Sequence, residues 1–353
     1  MSLFIYNGTN EVPKNVVNVS ISEGVTSIGV SAFERCTSLT SITIPDSVTS
    51  IGNHAFYWCF NLNSIKIPNN LTNIENYVFH GCAALTSITI PNSVTSIAEG
   101  AFHLCTYLNN ITIPSSVKSI AKAAFMACAS LNSITISEGV EIIGDNVFHD
   151  CTSLTSITIP KSVTNIGRFA FYKCSSLSII TISKDSSVSI GDYAFMSCTS
   201  LTNITIPEVS AISIGNYAFA RCTSLRTITI PNKSVKSIGK RPFYGNNLQY
   251  IKFTITEYDA ESNEIIKNFK EENDDLNVIL DETKILETIA SSFDNTSANR
   301  DTLSVVHSFL RKPSSDFGFH KKNKRKSKSK SLKKRKSKSK SRKKRKSKLL
   351  IKR

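Results

Sequence analysis

Nine cysteines sit on a fixed ruler in this chain, and that ruler limits the possible folds more than any other feature. Cys36, Cys59, Cys82, Cys105, Cys128, Cys151 and Cys174 are 23 residues apart, and Cys198 and Cys222 follow at steps of 24. No cysteine lies off this comb. Other residues keep the same beat. A leucine opens each cycle (Leu39, Leu62, Leu85 and onward to Leu225), and an Ile-x-Ile pair follows three residues later, as in Ile42-Thr43-Ile44-Pro45. Then come Val48 and Ile51, and then Ala55-Phe56, with Phe56 three residues before the next cysteine. A fixed period of roughly 20–50 residues means stacked copies of one small unit, because a unit of that size cannot bury its own apolar face.

The environments within one cycle define the unit. Leu39-Thr40-Ser41-Ile42-Thr43-Ile44 ends in period-two alternation, which predicts a half-buried strand with Leu39, Ile42 and Ile44 inward and Ser41 and Thr43 outward. Pro45 cannot donate to a ladder and ends the strand. Val48 and Ile51 turn inward again, and Gly52 suits a tight bend. Ala55, Phe56 and Cys59 lie near a helical pitch and predict a short helical turn on the convex side. Strand positions recur from Val19-Ser20-Ile21 to Ile251-Lys252-Phe253, and Asn246 replaces the expected cysteine where the array ends. The expected fold is a repeat solenoid. It comprises a leucine-rich-repeat parallel sheet of about eleven strands with short convex helical turns, a small helical C-terminal cap and a disordered tail.

The pattern Leu-x-x-Ile-x-Ile-Pro-x-x-Val-x-x-Ile-x-x-x-Ala-Phe-x-x-Cys resembles the BspA-like, or Treponema pallidum type, class of leucine-rich repeats. That family occurs in bacteria, parasitic protists and giant viruses, and some members resemble surface adhesins. The resemblance implies a binding scaffold and names no ligand.

Charge divides the chain further. The formal net charge is +16, but residues 320–353 hold 21 of the 43 Lys and Arg and no Asp or Glu. The remainder therefore carries 22 basic and 27 acidic residues. Up to Phe243 the balance is 15 to 13, and over 244–319 it is 7 to 14. These blocks suggest a solenoid over 1–255, an acidic helical cap or connector over 256–319 and a basic tail over 320–353. Apolar spacing predicts amphipathic helices over 258–272 (Ile265, Ile266, Phe269), over 281–292 (Ile285, Leu286, Ile289) and around 299–311.

The tail repeats a ten-residue unit built on Lys324, Arg325 and Lys326, on Lys334, Arg335 and Lys336, and on Lys344, Arg345 and Lys346. Self-repulsion and the scarcity of apolar residues predict disorder in isolation. With no aromatic interleaved, these side chains are candidates for sequence-independent binding of nucleic acid or another polyanion, or for nuclear import. Similar Lys/Arg/Ser tails are seen on giant-virus proteins. The first residues, Met1 to Gly8, show no secretory signal, and no apolar run is long enough to span a membrane. An odd cysteine count without an export signal favours reduced thiols. An intracellular, nuclear or virion-associated chain is expected rather than a secreted one.

Candidate sites follow from the columns. The cysteines, beside Phe and Leu in every cycle, read as buried structural thiols, with disulfides or a metal as weaker alternatives. His80, His103 and His149 each follow the repeat Phe and could pair across rungs around a metal or simply pack at the solvent edge. Outward sheet positions form a Ser/Thr/Asn carpet, of which Ser41, Thr43, Ser87, Thr89, Thr112, Thr135, Thr158, Thr205 and Thr229 are the expected partner-binding face. The same composition also suits any exposed pleated surface. No phosphate loop, Gly-x-Ser-x-Gly elbow or His-Glu-x-x-His motif occurs, so neither catalysis nor a cofactor is expected. The first expectation for function is a non-enzymatic scaffold, with a protein on the solenoid and a polyanion on the tail. The alternative is a surface adhesin or glycan-binding solenoid.

Overall fold

The structure is a computed structural model that describes residues 3–208, 210–255, 260–273 and 276–283. The chain divides into two compact units, Met1–Ser314 and Ser315–Arg353, and the second lies wholly outside the described residues. The first unit holds a β-solenoid whose rungs build two sets of short parallel strands, although the rung at 85–90 adds no strand to the first set.

The first ladder holds the Ile-x-Ile strands. Leu3–Tyr6, Asn18–Ile21, Ser41–Thr43 and Ser64–Ile65 form its opening sheet. Asn110–Ile113 pairs with Ser133–Ile136, and Ser156–Ile159 pairs with Ile179–Ile182, which continues to Asn203–Thr205. Thr227–Pro231, Tyr250–Thr254 and Val278–Asp281 close it. The register is one whole repeat, so that Thr112 faces Thr135 and Ile113 faces Ile136. The inward and outward faces therefore keep their identity along the ladder.

The second ladder is absent from the sequence reading. Two-residue strands such as Ser96–Ile97, Ser119–Ile120 and Ile142–Ile143 pair in register within an eight-stranded parallel sheet that ends at Val235–Ile238. Between the ladders a turn forms at the proline of most rungs, with the Val48 N–H donating to Pro45 O and Val117 to Pro114 O, both at 3.1 Å. The glycine after the second strand lets rungs approach closely. A Cβ on Gly167 would stand 2.5 Å from Asp145 N.

The segment around Ala55-Phe56, expected as a short helical turn, is instead a pair of linked turns. His54 and Trp58 both have positive φ (60° and 58°), and the same two columns are left-handed in every rung from Ser31/Arg35 to Arg241/Gly245. Two left-handed residues four apart stop any helix from propagating. The turns also bond from rung to rung, as when Phe56 N–H donates to Val78 O at 2.9 Å.

The core is a set of columns. Ten phenylalanines from Phe33 to Phe243 are at most 1% exposed and stack with centroids 4.8–5.7 Å apart. Both ends of the stack are closed. Tyr6 covers Phe33 at 5.2 Å, and Phe269 of the helix Ala260–Glu272 meets Phe243 edge-on at 6.4 Å. That helix falls in the segment expected as 258–272, and Ile266 and Phe269 are buried. The helix expected from 281 is corrected at its start, since Asp281 ends a strand. Residues 284–292, the helix around 299–311 and the tail lie outside the described residues.

Candidate binding surfaces

The cysteine column is structural chemistry. All nine thiols are buried and unpaired. In eight of them Sγ donates to the Phe carbonyl of the preceding rung, as Cys128 does to Phe102 O at 3.2 Å and Cys59 to Phe33 O at 3.0 Å. Burial pushes the thiols from Cys82 to Cys198 far above the ordinary range, which suppresses the reactive thiolate.

His80 and His103 gather with other rings towards the N-terminal end of the turn edge, whereas His149 packs edge-on against Tyr172 at 4.8 Å. His80 stacks on Tyr57 (4.7 Å) and meets Trp58 and His103 edge-on at 5.4 and 4.6 Å. Burial, then the neighbouring His103 and His54, lowers its pKa to about 4. The planes of His80 and His103 cross at 87°, an edge-to-face packing that does not aim both rings at one ion. Among the described residues, no group of three or more His, Cys, Asp or Glu could hold a metal.

The outward face of the first ladder is where the expected partner-binding residues lie. Thr43, Ser87, Thr89, Thr112, Thr135, Thr158, Thr205 and Thr229 are exposed, and Ser41 is half-buried. Pairing aligns Thr112 with Thr135 and Thr158 with Thr181, and Thr181 with Thr205. Its two cations are neutralised, Lys66 by Asp46 at 3.7 Å and Lys252 by Asp281. Hydroxyls in flanking columns are committed to the preceding rung, as Thr155 Oγ1 is to Asn132 O and Thr164 Oγ1 to Glu141 O. Ser41 Oγ is also committed, to Asn18 Oδ1 at 2.9 Å. By contrast, Thr112, Thr135, Thr158, Thr205 and Thr229 direct no side-chain hydrogen bond to any described residue. An open cleft of about 370 Å³ indents this face between Thr205 and Thr229, beside Glu208 and Thr254. The nine tail residues from Lys324 to Arg345 and Lys346, expected to bind polyanions, lie outside the described residues.

Two parallel ladders on a 23-residue rung, a stacked Phe column and a thiol column define a leucine-rich-repeat solenoid. The model of the BspA type leucine rich repeat region matches residues 11–132, 72–188, 118–213 and 188–303, and the chain belongs to this family. Three solved structures are similar to it. A leucine rich cell surface protein from Faecalibacterium prausnitzii is 27% identical, with 82% of this chain and 82% of that chain covered and a TM-score of 0.42. The T. pallidum leucine rich repeat protein is 27% identical, covering 57% and 83%, with a TM-score of 0.40. The pneumococcal vaccine antigen PcpA is 18% identical, covering 79% and 89%, with a TM-score of 0.38. A comparison with curated proteins gives no match.

The expectation of an intracellular, nuclear or virion-associated chain is corrected: the chain belongs to the BspA type family, and a cell surface protein is among the structures it is similar to. The physical fault lies in the cysteine argument. The fold buries each thiol and gives it a hydrogen bond, which disfavours its oxidation in any compartment, so their number says nothing of the compartment. Among the described residues no helix is long and apolar enough to cross a membrane.

Proposed function

We propose that this chain is a non-enzymatic binding scaffold of the surface-adhesin kind, whose first ladder holds an extended polar ligand, a glycan. The row of exposed threonine hydroxyls without an internal partner supports this most directly. A hydroxyl that donates to nothing in the protein is free to exchange water for a sugar hydroxyl, and in-register rungs repeat that offer roughly every 4.8 Å. Weak contacts of this kind gain strength by repetition. The relatives named as a cell surface protein and a vaccine antigen agree with this reading.

The test is binding of the full-length protein to a panel of immobilised polysaccharides at about 0.5 M salt, where surface charge attraction is largely screened. Replacing Thr112, Thr135 and Thr158 together by Glu should weaken retention about tenfold or more. Equal retention of both proteins would remove the ladder from the function.

The tail supports a second, separable activity. Its 21 Lys and Arg with no acid favour sequence-independent contact with polyanions. If it neutralises about ten phosphates of duplex DNA used as a probe, the slope of log K against log salt is near −9. Changing Lys324, Arg325, Lys326, Lys334, Arg335, Lys336, Lys344, Arg345 and Lys346 to Gln should flatten that slope. An unchanged slope would place the contact elsewhere.

A further inference from the structure

The turn edge changes character along the solenoid. In each rung it runs six residues, from the column two before the buried Ala-Phe pair to the second residue after it. In the turns through residue 150 the charged residues are Glu34, Arg35, Glu99, Lys122, Asp145 and Asp150, an acidic balance. The next four turns, 168–173, 192–197, 216–221 and 240–245, carry Arg168, Lys173, Arg221, Lys240 and Arg241 against Asp192 alone. All five cations are exposed, and Asp192 Oδ1 already accepts the Asn216 N–H at 2.7 Å.

Aromatic rings stand between these cations. Phe169 and Tyr193 stack at 4.9 Å with planes 8° apart, and Tyr193 and Tyr217 at 5.4 Å with planes 1° apart. Tyr172 packs edge-on against Phe169, and Tyr244 against Tyr217. Three of the cations lie over rings: Arg168 over Phe169 at 5.7 Å, Lys173 over Tyr172 at 5.2 Å and Arg241 over Tyr244 at 5.6 Å. Phe169, Tyr193 and Tyr217 take φ of 55°, 59° and 53° in a column where Gly100 serves an earlier rung. That conformation recurs in the column in every rung, so what sets this stretch apart is the aromatic side chains it carries there.

We infer that this stripe, from Arg168 to Tyr244, docks an acidic segment of a protein partner. The inference rests on reading the chain as a binding scaffold but not on the threonine face. Charge complementarity sets the sign of the partner. Tyrosine and arginine are the residues that dominate protein-binding hot spots, and guanidinium groups pair carboxylates in bidentate fashion. The stacked rings cover one another's faces, so the stripe offers ring edges, with their positive end of the quadrupole, rather than open platforms for a sugar. Packing against the rings restricts the long cationic side chains before the partner arrives, which lowers the ordering cost of binding.

Carbodiimide coupling of a capped deca-glutamate peptide to the full-length protein tests this, since an amide forms only where a glutamate carboxylate rests against a lysine amine. The expected result is coupling at Lys173 and Lys240 about tenfold above that at the exposed Lys161 and Lys184. The Arg168→Glu, Arg221→Glu and Arg241→Glu variant should lose that preference while coupling to tail lysines persists. Even coupling over all body lysines, or coupling at the tail alone, would overturn the inference. Lys173 or Lys240 joined to residues 256–319 of the same molecule without peptide would make the chain's own acidic segment the occupant. Protection of Lys173 and Lys240 by polygalacturonate but not by deca-glutamate would make it an anionic polysaccharide. The Thr112→Glu, Thr135→Glu and Thr158→Glu variant should couple as the native protein does, which keeps failure here distinct from failure of the threonine face.

Discussion

Truncation of one ring in the middle of the phenylalanine stack tests whether neighbour packing holds the solenoid together. Phe125 is fully buried and lies between Phe102 at 5.0 Å and Phe148 at 5.6 Å, both nearly parallel to it. Phe125→Ala removes the ring's burial, opens a cavity and breaks two stacks. Buried Phe→Ala changes cost about 3–5 kcal/mol, and this site belongs at the upper end because rungs bonded on both sides cannot collapse into the gap. The effect should also be local. In a nearly one-dimensional stack, amide exchange should accelerate most in the rungs around Cys105, Cys128 and Cys151, and least near Cys36 and Cys222. Phe243→Ala provides the comparison, because Phe243 has one parallel neighbour (Phe219 at 5.7 Å) and an edge-on contact with Phe269. Its loss should loosen the C-terminal end only. Urea unfolding followed by circular dichroism gives the magnitude, and native-state hydrogen exchange gives the location. A cost below about 1 kcal/mol for Phe125→Ala, or acceleration spread evenly over the array, would refute the reasoning.

Further outcomes follow from the other columns. Ellman's reagent should leave the native thiols unreacted and titrate nine after denaturation, with Cys36 first because only the N-terminal segment covers it; native reactivity in the middle rungs would contradict their burial. His80 has its folded pKa lowered to about 4 against about 6.5 in the unfolded chain, so the unfolded state binds more protons between those values. Stability is then complete above about pH 6.5 and falls towards pH 4 by at most about 3 kcal/mol from this group; His80→Phe should flatten the pH dependence of the urea midpoint, and an unchanged slope would assign it elsewhere. Gly167→Ala should destabilise by forcing its rung away from Asp145; a neutral change measured in urea would show that the rungs can separate there at little cost.

Much of this architecture is legible in the chain because columns repeat. Leu, Ile, Phe and Cys recur at fixed places, and the inward and outward residues of the Ile-x-Ile strands follow from alternation. The second ladder is hidden because strands such as Ser119–Ile120 are two residues long and cannot display a period. The left-handed columns are hidden because His54, Tyr77, Gly100, Ala123 and Phe169 share a backbone conformation but no chemistry. The strand Leu3–Tyr6 stands outside the 23-residue rhythm, and Val278–Asp281 reads equally as apolar helix or strand. The cysteine bonds reach a carbonyl 26 or 27 residues earlier, so only the fold reveals them. The threonine row was visible as a pattern, but its uncommitted hydroxyls were not. The basic turn edge is hidden because its residues are spread over four repeats.

The most direct test of the central claim is amide hydrogen exchange on the full-length protein saturated with a polysaccharide retained from the binding panel. The account predicts slowed exchange in the strands Asn110–Ile113, Ser133–Ile136 and Ser156–Ile159, which carry the threonine row. Protection confined to residues 320–353, or to the turns from Arg168 to Gly245, would contradict it.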